Sequence, residues 1–266
     1  LKFYKYHGTG NDFILLDEKP NDPISLAKNI CDRHFGIGAD GLIYPEISHF
    51  ADIKFNYYNS DGSLAPMCGN GMRCFVKFLI DQKHLEKLEF SVETLAGLVL
   101  VSYDKTSELI TIDLGQPYFN LSSPHVAQDI LAFKPVELSL DDKAYTSYTV
   151  LLGTLHTIIY VDDCMDLSVL GPKLSTHPFF LNQTNINFVT VKDPAHQYVK
   201  TFERGAGWTL SCGTGTAASA VVSHKLGHTK RAVLTQVPGG NLKVLIKDTI
   251  QLEGPAVKIA SGIYEA

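Results

Sequence analysis

The strongest constraint on how this chain can fold is an internal duplication on the scale of a domain. It is marked by two cysteine-glycine turns, Met67-Cys68-Gly69-Asn70-Gly71 and Ser211-Cys212-Gly213-Thr214-Gly215. The two cysteines lie 144 residues apart (212 − 68), and the same offset carries Asn59 to Glu203, Ser60 to Arg204, Leu98 to Leu242 and Asp104 to Asp248. An offset of 145 (153 − 8) carries Gly8 to Gly153, Thr9 to Thr154, Asn11 to His156, Asp17 to Asp162 and Asp40 to Asn185. The order of these elements is the same in both halves, so the repeat is a whole domain rather than a short solenoid unit. The first unit closes with the strand Leu109-Ile110-Thr111-Ile112-Asp113 and the turn Leu114-Gly115-Gln116-Pro117; the second closes with Ile250-Gln251-Leu252-Glu253-Gly254-Pro255. Domains at 1–115 and 116–259 follow, with 260–266 expected to return to the first as a strand.

A chain of 266 residues, 45 % of them hydrophobic, has the length and the apolar content for two modest cores. Its formal net charge of −5 offers no basic field for nucleic acid or for an anionic membrane. No apolar run approaches the roughly 20 residues that span a bilayer, and LKFYKYHGTG lacks a secretory apolar region. A cytoplasmic protein acting on a small molecule is expected. Five cysteines, an odd number, fit thiols kept reduced rather than a disulfide framework.

Between the turns the chain reads mainly as short β-branched and aromatic strands bounded by Gly, Asp, Asn or Pro: 13–16, 41–44, 53–58, 98–101, 157–161, 188–191 and 242–246. The stretch after Cys68 places Met72, Phe75, Val76, Leu79 and Ile80 at helical spacing. After Cys212 the run is small and apolar nearly all round until Gly227, which suits the position just past a helix end. Each half is therefore expected to be a strand-rich shell around one buried helix.

Each cysteine opens its helix, where unpaired backbone N–H groups and the helix dipole favour negative charge. A thiol there ionises more readily, and thiolate is the reactive form. Two such thiols suit the two faces of one asymmetric carbon, which is the chemistry of a racemase or epimerase. One thiolate removes the α-proton while the other thiol returns one, and a free-thiol pKa near 8.5 lets both groups alternate between the two roles near neutral pH. The N–H groups of Gly69 and Asn70, and of Gly213 and Thr214, are candidates to hold the substrate α-carboxylate.

HGTGNDF at 7–13, NSDGS at 59–63, MCGNGMRC at 67–74, TNINF at 184–188, ERGAG at 203–207, SCGTG at 211–215 and VPGG at 237–240 resemble, in order, the signature set of the diaminopimelate epimerase family. The resemblance implies a mixed α/β (α+β) fold of two pseudo-symmetric domains, each a β-sheet or barrel wrapped around a central helix, with the active site in the cleft between them. It implies Cys68 and Cys212 as the catalytic pair, and epimerisation of LL- and meso-2,6-diaminopimelate in the supply of lysine and peptidoglycan precursors. No cofactor and no metal are implied, and a homodimer is. Glu203 and Arg204 would contact the amino acid, Asn11, Asn59 and Asn185 would clamp it, and His156 matches a family histidine near a catalytic thiol.

Plainer readings stand beside these. Asn11 and Asn59 fall in turn-forming sequences, as does Asn185; Glu203 and Arg204 fit a solvated charge pair at a strand end; and His156 fits a satisfied structural histidine. Cys31, Cys74 and Cys164 have no counterpart at the repeat offset and are read as structural. The Cys68/Cys74 spacing lacks the second pair that a zinc site needs, and the Gly-X-Gly fragments at 8–10 and 36–38 lack a nucleotide-binding pattern. Two departures bear on the substrate. Thr154-Leu155-His156 stands where many family members have Asn-Pro-His, and Trp208 stands where Glu is frequent. A same-fold racemase of proline, hydroxyproline, histidine or glutamate is thus an alternative, as is a thiol redox or binding protein. An isomerase using carboxylates is disfavoured by the paired cysteines, and the retained Arg204 with its three asparagines favours a substrate with a second charged end.

Overall fold

The computed structural model describes residues 1–162 and 167–265, so Cys164 lies outside the described residues. The chain divides into two compact units, Leu1–Asp113 with Glu253–Ala266, and Leu114–Leu252. In the first unit the elements are β1 (Lys2–Gly8), β2 (Asn11–Leu15), α1 (Pro23–Ile30), β3 (Gly41–Glu46), β4 (Ile53–Asn59), β5 (Leu64–Ala65), α2 (Gly69–Asp81), β6 (Glu89–Thr94), β7 (Gly97–Tyr103) and β8 (Ile110–Asp113). The chain continues with β9 (Val136–Leu140), β10 (Lys143–Leu152), β11 (Thr154–Tyr160), α3 (Leu170–Ser175), β12 (Asn185–Asp193), β13 (His196–Glu203), β14 (Gly207–Trp208), α4 (Gly213–Lys225), β15 (Ala232–Val237), β16 (Gly240–Ile246) and β17 (Ile250–Gly254). It ends with β18 (Val257–Ile263).

The same pairing scheme occurs in both units. In the first, β18–β1, β1–β2, β3–β4 and β6–β7 are antiparallel while β2–β3 and β4–β6 are parallel. In the second, β9–β10, β10–β11, β12–β13 and β15–β16 are antiparallel while β11–β12 and β13–β15 are parallel. Each parallel step carries its helix: α1 and α3 at the first crossover, α2 and α4 at the second. The fold is mixed α/β, mostly sheet, with few helices.

The boundaries differ from the expected ones for a hydrogen-bonding reason. Leu114 N–H donates to the Ile250 carbonyl and Ile250 N–H to the Gly115 carbonyl, each at 2.8 Å, which ties residues 114 and 115 to the second unit. At the other end the return to the first unit begins at Glu253, not at 260. The ladder of β18 on β1 already starts at the pair Val257–His7 and runs to Ile263–Lys2.

α2 starts at Cys68, whose extended backbone (φ −142°, ψ 122°) and side chain cap the helix. Met72, Phe75, Val76 and Leu79 are buried as their spacing predicts, but so are Arg73, Cys74 and Phe78. The helix is enclosed on nearly every side because β1, β2, β3, β4, β7, β8 and β18 all lie against it. Phe75 meets the Phe55 ring and Phe78 the Tyr4 ring, each at a centroid distance of 5.2 Å. α4 starts at Cys212 in the same extended conformation (φ −115°, ψ 110°) and is buried from Gly215 through Ser223. It ends in a Schellman arrangement: Gly227 takes φ +79°, with Gly227 N–H donating to the His224 carbonyl and His228 N–H to the Ser223 carbonyl.

The two central helices are enclosed by different means. Around α2 the space is filled by large rings, whereas Ala217, Ala218 and Ala220 on α4 let Val150, Ile158, Val189 and Val199 close in directly. Opposite substitutions should therefore disrupt them. Phe75→Ala leaves a cavity and should cost about 3–5 kcal/mol, while Ala218→Leu has no room for the added atoms and should cost about 1–3 kcal/mol. Thermal unfolding of the two variants checks both values.

Candidate functional site

In the first unit the Cys68 sulfur accepts from Gly71 N–H at 3.4 Å and lies 3.8 Å from Asn11 Oδ1. Neighbouring groups of fixed polarity orient both amides of this cluster. Asn11 Nδ2 donates to the Asp40 carboxylate, so its oxygen faces the thiol and also accepts from Asn70 Nδ2 at 3.3 Å. Asn70 Oδ1 in turn accepts from Arg73 Nη2 at 2.8 Å. Gly69 and Asn70 form the buried first turn of α2. A Cβ at Gly8 would stand 3.0 Å from both the Asn70 carbonyl oxygen and Arg73 Nη2, so glycine lets the chain pass this close without displacing them.

Arg73 is a residue that the sequence reading missed. It is wholly buried, donating from Nη2 to Thr9 Oγ1 at 3.1 Å and from Nε to the Pro255 carbonyl at 3.1 Å, while Nη1 has no hydrogen-bond partner. Burial pulls its pKa down to about 10, and the acidic groups that pull it back are the thiols of Cys74 and Cys68. A buried cation satisfied by neutral oxygens costs free energy. It places positive charge beside the first turn of α2. The signal in MCGNGMRC was the helical spacing of Asn70 and Arg73 within an otherwise apolar face.

Asn59, at the end of β4, is held inside its turn: Tyr57 Oη donates to its Oδ1 at 2.7 Å and its Nδ2 donates to Ser63 Oγ at 2.9 Å. Beside the site, Arg33 and Lys5 both bind Asp12, at 2.8 and 3.0 Å. Burial acts to raise the Asp12 carboxyl, but Arg33 and Lys5 outweigh it and hold the group below its ordinary range. Cys31 and Cys74 are buried and unpaired. Burial pushes the Cys31 thiol up to about 12, and the Cys74 thiol further; both are inert packing groups at neutral pH.

In the second unit Cys212 is 6 % exposed and its sulfur lies 3.7 Å from Thr214 Oγ1. Burial pushes this thiol well above its ordinary value and the neighbouring Glu203 adds to that; Gly215 N–H and the Thr214 hydroxyl pull the other way. Glu203, at the end of β13, accepts from Thr209 Oγ1 at 2.6 Å. A Cβ at Gly215 would meet Asn187 Oδ1 at 2.3 Å and Cys212 Sγ at 3.3 Å, so glycine alone fits there.

His156 is wholly buried, and burial, then Arg204, lowers its pKa to about 3. Its Nε2 lies 3.0 Å from both Thr154 Oγ1 and Thr214 Oγ1, and its Nδ1 lies 3.3 Å from Asn187 Nδ2. The repeat makes His156 the counterpart of Asn11 and Thr214 the counterpart of Asn70, and the structure joins each pair by a hydrogen bond. Asn185 sends its N–H groups to Thr154 Oγ1 at 3.2 Å and the Leu155 carbonyl at 2.9 Å, and its oxygen accepts from Arg204 N–H at 2.9 Å. The Arg204 side chain reaches the Asn182 carbonyl at 2.9 Å. Gly213 and Thr214 form the first turn of α4.

The two departures from the family pattern have local explanations. The Thr154 hydroxyl oxygen accepts from Asn185 Nδ2 and lies 3.0 Å from His156 Nε2, and Leu155 enters the core. Trp208 packs between the rings of Phe188 and Phe202, at 5.9 and 5.4 Å, with Lys200 Nζ over its face at 4.6 Å. Asn187 was not singled out from TNINF, although strand alternation places it on the same face as Asn185. Among the described residues no group of three or more His, Cys, Asp or Glu is placed to hold a metal ion, and no helix is long and apolar enough to cross a membrane.

The sequence profile of the diaminopimelate epimerase family matches residues 3–120 and 148–259. The diaminopimelate epimerase of Caldanaerobacter subterraneus subsp. tengcongensis is 40 % identical over 274 residues, covering 100 % of both chains. That of Alkaliphilus metalliredigens is 39 % identical, covering 99 % of this chain and 97 % of its own. Among solved structures, a hydroxyproline epimerase from Agrobacterium vitis superposes with a TM-score of 0.71 at 13 % identity, covering 98 % of this chain and 91 % of that one. A PhzF-family phenazine biosynthesis protein of Bacillus anthracis gives 0.69 at 16 % identity, covering 98 % of each chain. At such identities the likeness is one of fold. The profile match and the full-length relatives establish more: the chain belongs to the diaminopimelate epimerase family.

Proposed function

We propose that this protein is a diaminopimelate epimerase that interconverts LL- and meso-2,6-diaminopimelate by inverting one α-carbon, with Cys68 and Cys212 as the proton-exchanging pair. The reading is carried by 40 % identity over the full length to a relative named diaminopimelate epimerase. A thiol at the first turn of each central helix supports it. Inversion needs one group to take a proton from one face of the carbon and another to give a proton to the opposite face. A thiolate does the first and a thiol the second, and after one turnover the roles are exchanged.

The surrounding groups suit this work. Glu203 beside Cys212 is an acceptor for its proton, and Arg73 brings positive charge to the Cys68 end of α2. Backbone N–H groups of Gly69, Asn70, Gly213 and Thr214 would hold the α-carboxylate and support the carbanion-like transition state. Asn11 and Asn59 would bind polar groups of the amino acid, and Asn185 would act through the Arg204 backbone it holds. No cofactor is assigned to this reaction. Free thiols are kept reduced in the cytoplasm, where we place the protein.

His156 has its pKa held near 3 by burial and then by Arg204, so at neutral pH it is an uncharged hydrogen-bonding group. It would act on the thiol chemistry as a dipole, without exchanging a proton.

Reduced protein in heavy water should incorporate deuterium at the α-carbon of LL- or meso-diaminopimelate, read by mass spectrometry against a panel of proline, hydroxyproline, histidine and glutamate. Exchange with none of these amino acids would overturn the enzyme reading, and exchange confined to another member of the panel would reassign the substrate. Replacing either Cys68 or Cys212 by Ala should lower the epimerisation rate by about 10²–10⁴-fold or more. The ordinary His pKa of about 6.5 applies to the unfolded chain, and the folded value is lower. The neutral His156 therefore contributes stability that is complete above about pH 6.5 and is lost as pH falls toward about 3. In acid-unfolding curves His156→Gln should flatten this part of the pH dependence.

A further inference from the structure

Hydrogen-bond polarity around His156 can be followed atom by atom. Asn187 Nδ2 lies 3.4 Å from the Thr157 and Asn185 carbonyls, which only accept, and its Oδ1 receives the Thr201 hydroxyl at 3.0 Å. The amide is therefore oriented with its N–H groups toward His156 Nδ1, 3.3 Å away. Nδ1 must accept, and because the buried ring is neutral its single hydrogen is on Nε2. A protonated Nε2 has no lone pair. Neither the Thr154 nor the Thr214 hydroxyl, both 3.0 Å away, can donate to it. The hydroxyl hydrogen of Thr214 is left to point at its other polar neighbour, the Cys212 sulfur at 3.7 Å.

We propose that Asn187, His156 and Thr214 form a one-way hydrogen-bond chain that delivers the Thr214 hydroxyl hydrogen to Cys212 Sγ and stabilises its thiolate. This deepens the reading of Cys212 as a proton-exchanging group and rests on it. Thr214 touches the reacting sulfur; His156 and Asn187 are positioning residues. Burial and Glu203 both act to keep Cys212 protonated. The chain supplies an opposing pull that lets the sulfur give its proton up and hold the resulting charge. Such a donor is effective in a buried site because it is fixed before charge develops and needs no reorganisation. Arg204 is the charged group acting on the ring, and it too disfavours the imidazolium that would add a second N–H.

Two measurements on the full-length reduced protein test the chain. In ¹⁵N-histidine-labelled wild type, His156 should appear as the neutral Nε2–H tautomer from pH 5 to 8; an Nδ1–H tautomer or an imidazolium would overturn the proposal. The pH profile of Cys212 alkylation by iodoacetamide, followed by peptide mass spectrometry, should move upward by about one unit in Thr214→Val, a roughly tenfold loss of thiolate below the midpoint. Thr214→Ser should restore it, and Asn187→Leu should reproduce the valine effect in part. Unchanged profiles in Thr214→Val would overturn the chain even if the wild type epimerises diaminopimelate. A wild type that moves no α-hydrogen, yet shows the shifted profiles, would overturn the assigned reaction and leave the chain standing.

Discussion

A sulfur placed at the first turn of a helix buried on nearly every side is the constraint on which the rest of this structure depends. The first turn of any helix has N–H groups without intrahelical partners, and here that turn is built from glycine so that neighbouring groups can approach it closely. Burial of the helix body then fixes where the sulfur stands. α2 and α4 meet the same requirement with different packing, one with aromatic rings and the other with alanines. The quantity shared by the two units is therefore the start of the helix at an extended cysteine, and the filling of the core around it was free to diverge.

Each sulfur faces a polar group supplied by the equivalent strand of its own unit, β2 or β11, or by the turn that group holds. In the first unit Asn11 bonds Asn70 and faces Cys68; in the second His156 bonds Thr214, whose hydroxyl faces Cys212. The two settings differ in the charge around them. Arg73 is buried near the first thiol, while Glu203 and burial act against ionisation of the second. In the proposed reaction such opposed influences are useful, because a thiol held too firmly in one state could not return to the other.

Much of the fold was legible in the sequence because it is written in local patterns. The strands at 41–44, 53–58 and 242–246 fall within β3, β4 and β16, and the helix after Cys212 ends at Gly227 as its composition indicates. The domain seam was less legible. The return to the first unit that begins at Glu253 leads into β18, whose ladder reaches residues some 250 positions away, and nothing in the neighbouring sequence announces it. Around the site, the motifs pointed to Cys68, Asn70, Cys212 and Thr214 and to their partners Asn11 and His156, but not to Arg73 and Asn187. Arg73 and Asn187 act through buried polar contacts with residues distant in sequence, and a polar residue in an apolar run looks the same on paper whether it faces solvent or a buried acceptor.

The duplication, the two glycine-bounded thiols, the mixed sheet-and-helix composition and the resemblance to the family were determined by the sequence itself, since each depends on residue type and spacing. Tertiary structure decided the charge and hydrogen-bond state of the groups around each sulfur. Burial holds His156 neutral and Arg73 without a carboxylate partner among the contacts described, and the polarity of each amide is set by neighbours brought close only by folding. The physical reason is that desolvation and hydrogen-bond direction depend on what encloses a group in three dimensions, which a linear pattern does not specify.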